Sequence, residues 1–163
     1  QFFPDLPSSL SEVDALMRGN FVGLSHLAFN AKLLREQGWR FAFPDGLIAL
    51  DWYMAVWFLL QGLHGVKTAG SVYYRIYAEN TAGKESSMSK QRLEKVVDVK
   101  QRHYQALLNL PLTPELRKKA EHEMEYLGTV GDKLSRPETC KQVLDAVNRR
   151  VAEDTSNYWW VHI

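Results

Sequence analysis

The sequence predicts an α/β fold in two parts: a small sheet with a buried helix, then a mostly helical C-terminal extension. Three observations predict it. "NFVGLSHLAFN" followed by "AKLLREQGW" passes from β-branched and aromatic residues to Ala, Leu and Glu, which reads as strand then helix. The stretch from Trp52 to Gln61 has no polar face, so as a helix it must be buried on nearly all sides. Beyond Ser86 the chain becomes charged, with apolar residues at helical spacing and no strand-like run.

Ser9 followed by Glu12, with Gly19 behind, reads as a capping box and a glycine stop around a short helix whose buried stripe is Leu10, Val13 and Met17. The strand and helix just described come next, the helix stopping at Gly38. "RFAFPDG" is a loop by its Pro44 and Gly46, and Asp51 is the expected N-cap of the apolar helix. After Gly62 and Gly65, "VKTAGSVYYRIYA" is rich enough in Val, Tyr and Ile to be a second strand, and "ENTAGKESS" is a loop.

In the extension, Leu93, Val96, Val97, His103, Tyr104, Leu107 and Leu108 mark one helix, broken from Leu110 to Pro114. Thr113 caps the next helix with Pro114 in its first turn, and Leu116, Ala120, Met124, Leu127 and Val130 line its apolar face. Ser135 and Pro137 are expected to start a last helix carrying Cys140, Val143, Leu144, Val147 and Val151. The ending "NYWWVHI" is too aromatic for a solvated tail and is expected to pack on something. The two parts divide as residues 1–85 and 86–163, without an internal repeat.

Bulk properties exclude several classes of partner. The chain has 163 residues, 45% hydrophobic and 24% charged, as an ordinary globular protein has. A net charge of +1 gives no general electrostatic case for nucleic acid or an anionic membrane. The single cysteine, Cys140, cannot close an internal disulfide and reads as a small core hydrophobe, which fits a reduced compartment. "QFFPDLPSSL" lacks the basic start and apolar run of a signal peptide, and the densest apolar run falls short of the roughly 20 residues a membrane span needs. The expected location is the cytoplasm, with peripheral attachment at the inner face of the membrane compatible with it.

Asp51 is the foremost candidate for chemistry. A carboxylate opening a helix meets exposed N–H groups and the positive end of the helix dipole, which favour its charged form, and a charged carboxylate is a workable general base. The same position also suits a plain N-cap. Arg75, with a loop just beyond it, could hold a phosphate or form a structural salt bridge. His103 lies on an apolar stripe and His122 on a charged face, so both read as structural or solvated; His26 and His64 have no second ligand at metal spacing. There is no Gly-rich phosphate loop, Cys cluster or G-x-S-x-G elbow.

"GNFVGLSHLAFNAKLLREQGWRF", then "PDGLIALDWYMAVWFLLQG", then "YYRIYAENTAG" together resemble the acceptor-side half of family-2 glycosyltransferases with the GT-A fold. The resemblance covers roughly Gly19 to Gly83. It implies that Asp51 is the catalytic base, taking the proton from an acceptor hydroxyl as that oxygen attacks the anomeric carbon of a nucleotide sugar with inversion. It implies that Trp52 and Tyr53 lie near the acceptor, Trp52 having plain core as its other reading, and that Arg75 and Asn80 sit on the loop closing over the diphosphate. Leu50 stands where the family usually has a second acid. Tyr77 stands where a histidine often helps hold the divalent metal, Mg2+ or Mn2+, and a phenol is a poor ligand for either. No D-x-D occurs in the chain. The resemblance therefore implies a nucleotide-binding half elsewhere, a metal only in the complete enzyme, and a fragment inactive alone. Its donor would be a nucleotide sugar and its acceptor a glycan or other hydroxyl compound, with the C-terminal helices available for a homo-oligomer. The competing expectation is a non-catalytic helical interaction module docking a partner chain.

Overall fold

The computed structural model describes residues 8–24, 27–38, 42–69 and 87–153. Among them the chain is mostly helical, with one small two-stranded antiparallel sheet. Strand β1 is Ser9–Leu10 and β2 is Gly65–Val66, paired in the register Ser9 with Val66 and Leu10 with Gly65. The N–H of Lys67 extends the pairing to the carbonyl of Ser8 at 2.9 Å. The expected capping-box helix at Ser9 is corrected here: the backbone of Ser9 and Leu10 is committed to β2. Helix begins only at a short 3₁₀ turn, Val13–Leu16, which buries Val13, Leu16 and the following Met17.

The first expected strand is also absent from the described part of residues 20–30. Local bonds replace the ladder that a strand needs: Asn20 Oδ1 accepts from the N–H of Val22 at 2.9 Å, and the N–H of Leu27 donates to the carbonyl of Leu24. The N–H of Leu24 is taken by Asp51. Helix α1, Ala31–Glu36, follows, capped by Asn30 Oδ1 on the N–H of Leu33 and ended by Gly38 at φ 63°, the glycine stop that the sequence anticipates.

Gly46 takes the third place of a turn closed by the N–H of Leu47 on the carbonyl of Pro44, and its φ of 73° is one that residues with a Cβ rarely adopt. Helix α2, Leu50–Leu60, buries Trp52, Tyr53, Met54, Ala55, Val56 and Leu59, in keeping with its lack of a polar face. It stops in a Schellman arrangement: Gly62 at φ 78° donates to the carbonyl of Leu59, and Leu63 donates to that of Phe58. The second expected strand is short in the described residues, ending at Val66; its remainder from residue 70 lies outside them.

Three helices complete the fold: α3, Lys90–Leu108; α4, Pro114–Ser135; and α5, Pro137–Glu153. Ser89 caps α3 through the N–H of Arg92, and Thr113 caps α4 through the N–H of Leu116 at 3.3 Å, with Pro114 at its start. Between them, Arg117 donates to the carbonyls of Leu108 and Leu110, satisfying acceptors that the end of α3 leaves open. The α4–α5 boundary differs from the expected one. Ser135 is the last residue of α4 and donates to the carbonyl of Asp132, while extended Arg136 makes the break. Pro137 explains it, because a residue before proline is pushed out of the helical region.

One apolar cluster joins Val13, Leu16, Trp52, Val56, Leu93, Tyr104, Leu107, Leu127, Leu134 and Val147, drawing on both sides of the 85/86 division. Cys140, Val143, Leu144 and Val151 pack against it half-buried. The packing of α3 against α4 is the most extensive between elements, and α4 against α5 comes next. Asn148 of α5 adds a polar clamp: its side-chain oxygen accepts from the N–H of buried Met88, and its amide donates to the Met88 carbonyl at 3.2 Å.

Asn148→Ala strands both backbone groups of Met88 and should lower the unfolding free energy by about 1–3 kcal/mol. Thr113→Ala removes a single cap bond and should cost about 1 kcal/mol. Urea titrations followed by far-UV circular dichroism measure both, and a larger loss for Thr113→Ala than for Asn148→Ala contradicts the clamp.

Candidate functional site

Asp51 lies in the first turn of α2, though not as its N-cap. Ala49, which has no side-chain oxygen to cap with, occupies the cap position, and its carbonyl accepts from the N–H of Tyr53, so the helix begins at Leu50, two residues earlier than an Asp51 N-cap requires. The carboxylate is half-buried and ties two segments together. Oδ1 accepts from the N–H of Trp52 at 2.8 Å, and Oδ2 from the N–H of Leu24 at 3.3 Å. An ionised carboxylate offers about four acceptor positions, so these two bonds leave room for a hydroxyl or water. Leu24, whose N–H it holds, is exposed, as is Leu50 just before it in the chain.

Trp52 points the other way. Its indole is 1% exposed, Nε1–H donates to the carbonyl of Leu16 at 2.7 Å, and the ring stacks on His103 at 3.7 Å with an interplanar angle of 18°. Tyr104 meets it edge-on at 5.8 Å and donates its hydroxyl to the carbonyl of Met17. Trp52 therefore sits in the core, the second of the roles open to it in sequence. Tyr53 is buried as well, and burial pushes its phenol above the ordinary range, leaving it a hydroxyl donor rather than a base. Arg75, Tyr77 and Asn80 lie outside the described residues, as do His26 and the aromatic ending from residue 154.

His64 is exposed and His122 is on the surface of α4, whereas His103 is fully buried. Lys100, one turn before His103 on α3, is 1% exposed, and burial lowers it to about 8 against an upward pull from Glu123 on α4. Lys100 carries no sequence motif that marks it. The register of α3 could have found it, since Leu93, Val96, Val97, Tyr104 and Leu107 form a stripe in which position 100 falls midway. Among the described residues no group of three or more His, Cys, Asp or Glu side chains is placed to hold a metal ion, and no helix is long and apolar enough to cross a membrane.

Compared with protein-family models, curated proteins and solved structures, the chain matches none.

Trp52→Phe keeps an aromatic ring over His103 and deletes the N–H that satisfies the Leu16 carbonyl. Leaving that acceptor bare should cost about 1–3 kcal/mol in chemical denaturation. An unchanged midpoint would place Trp52 outside the core contacts described.

Proposed function

We propose that the chain is the acceptor-side half of an inverting nucleotide-sugar glycosyltransferase of the GT-A kind, with Asp51 as general base. The observation that carries this reading is the half-open carboxylate at the start of an otherwise apolar helix, with acceptor capacity left after its two backbone bonds. The bond from Leu24 also supports it: two of the three sequence stretches that resemble the family, one around residues 19–41 and one around 44–62, meet at this side chain.

In this mechanism an acceptor hydroxyl donates a hydrogen bond to a free lone pair of Asp51. The carboxylate takes its proton as the oxygen attacks the anomeric carbon from the face opposite the nucleotide, while the bond from that carbon to the diphosphate oxygen breaks and the nucleoside diphosphate leaves with the electron pair. The two backbone N–H groups hold the carboxylate in one orientation, so little reorganisation precedes proton transfer. Trp52 acts beneath the site, fixing α2 through the core. Tyr77, Arg75 and Asn80 keep the roles that the resemblance implies, on a stretch outside the described residues. The divalent cation that the resemblance implies for the complete enzyme would there stabilise the departing nucleoside diphosphate.

Asp51→Asn in the complete enzyme preserves an acceptor for one of the two N–H groups and removes the base. Turnover should fall about a hundredfold or more while nucleotide binding stays near wild type. Retained turnover would take Asp51 out of the mechanism. Isothermal titration of the present chain with a UDP-sugar and Mg2+ should show no binding, since the donor half is elsewhere.

A further inference from the structure

Protein interiors seldom bury a polar group without a partner, because the lost hydration is not replaced. His103 is such a group: fully buried, with neither Nδ1 nor Nε2 hydrogen-bonded. Its ring is pressed flat on Trp52 and lies edge-on to Tyr104 at 5.5 Å. A neutral imidazole tolerates this as an aromatic plate. An imidazolium carries two N–H donors, and here neither has an acceptor.

The titratable and charged groups around it decide which way a proton acts. On α3 these are Lys100, which acts on the ring directly, and Tyr104, which meets it edge-on; Glu123 of α4 acts on Lys100 and Tyr104, and Arg18, after the 3₁₀ turn, acts on Tyr104. Lys100 opposes a second positive charge, and the pull of Glu123 acts on Lys100. The indole face would attract a cation, but that attraction replaces neither the missing acceptors nor the lost water. The contact that would yield is the weaker one, because α2 meets α3 along a much shorter stretch than α3 meets α4.

We propose that the Trp52–His103 stack is an acid-released latch. Proton uptake by the His103 ring expels it from the α2–α3 interface, and α2 carries Asp51 away from Leu24 while α3, α4 and α5 stay packed. The latch stands whether or not Asp51 is a catalytic base. Its direction follows from burial first and Lys100 second, which together lower His103 from 6.5 to about 3 in the closed state. The released state holds the proton more tightly, so the closed state is most favoured above about pH 6.5. The closed-to-open ratio then falls by up to about tenfold for each pH unit from there toward 3.

Fluorine NMR of the chain labelled with 5-fluorotryptophan tests this, the Trp52 resonance being assigned by its loss in Trp52→Phe. As pH is lowered from about 7 to 3.5, the Trp52 resonance should move to a solvent-exposed position while far-UV circular dichroism keeps most of its helical signal. His103→Phe should abolish the movement. A Trp52 resonance that stays put, a transition surviving in His103→Phe, or loss of helical signal in parallel with it overturns the latch. Should His103→Phe fail to fold, long-range nitrogen-proton spectra of the wild-type imidazoles decide: His103 must be neutral at about pH 5 in the closed state, and a charged ring there overturns the proposal.

Discussion

The seating of Trp52 is the contact on which the described fold depends. A helix as apolar as α2 gains little orientation from hydrophobic burial alone, because nearly every face is equally content to be covered. The bond from Nε1–H to the carbonyl of Leu16 removes that freedom. It is directional, it lies in the core, and breaking it leaves an acceptor without water. Stacking on His103 then fixes the same ring against α3. One side chain thus locks α2 to the 3₁₀ turn on one side and to the helical part on the other. For that reason the core runs through the middle of the chain and does not divide at residue 85.

The helical extension was the legible part of the sequence. Thr113, Pro114 and the stripes of α3, α4 and α5 act through local geometry: a cap, a fixed φ and a 3.6-residue period, none of which needs a distant partner. The strands were not legible in the same way. A strand exists only where a second one supplies its hydrogen bonds, and the fate of Ser9–Leu10 was decided by Gly65–Val66, more than fifty residues away. The stretch 20–30 has strand composition, but the bonds of Asn20 and Asp51 capture backbone groups that a ladder would use.

The candidate site was legible in part, for the same reason. Sequence located Asp51 at the head of α2 because a lone charge beside an apolar run has few other stable places. It could not separate an N-cap from a first-turn position, since that depends on where the bond of Tyr53 begins the helix. Nor could it weigh the two roles open to Trp52. Both an acceptor platform and a core residue require a large aromatic at that position, and the Leu16 carbonyl that sets its orientation carries no side-chain signature.

Within α2 the position of the acid is itself constrained. One turn further along, Met54, Ala55 and Val56 are buried, and a carboxylate there would lose its hydration without gaining backbone donors, since N–H groups inside a helix are already bonded. At Asp51 the first-turn N–H groups are still free to donate and solvent still reaches the side chain. The carboxylate is therefore both held and open, a combination that a structural anchor tolerates and a general base requires. Trp52, the very next residue, faces the core. Two adjacent positions about 100° apart on the helix thus differ in surroundings, Asp51 reached by solvent and Trp52 turned inward for anchorage. Any force that unseats the indole must therefore move the carboxylate with it.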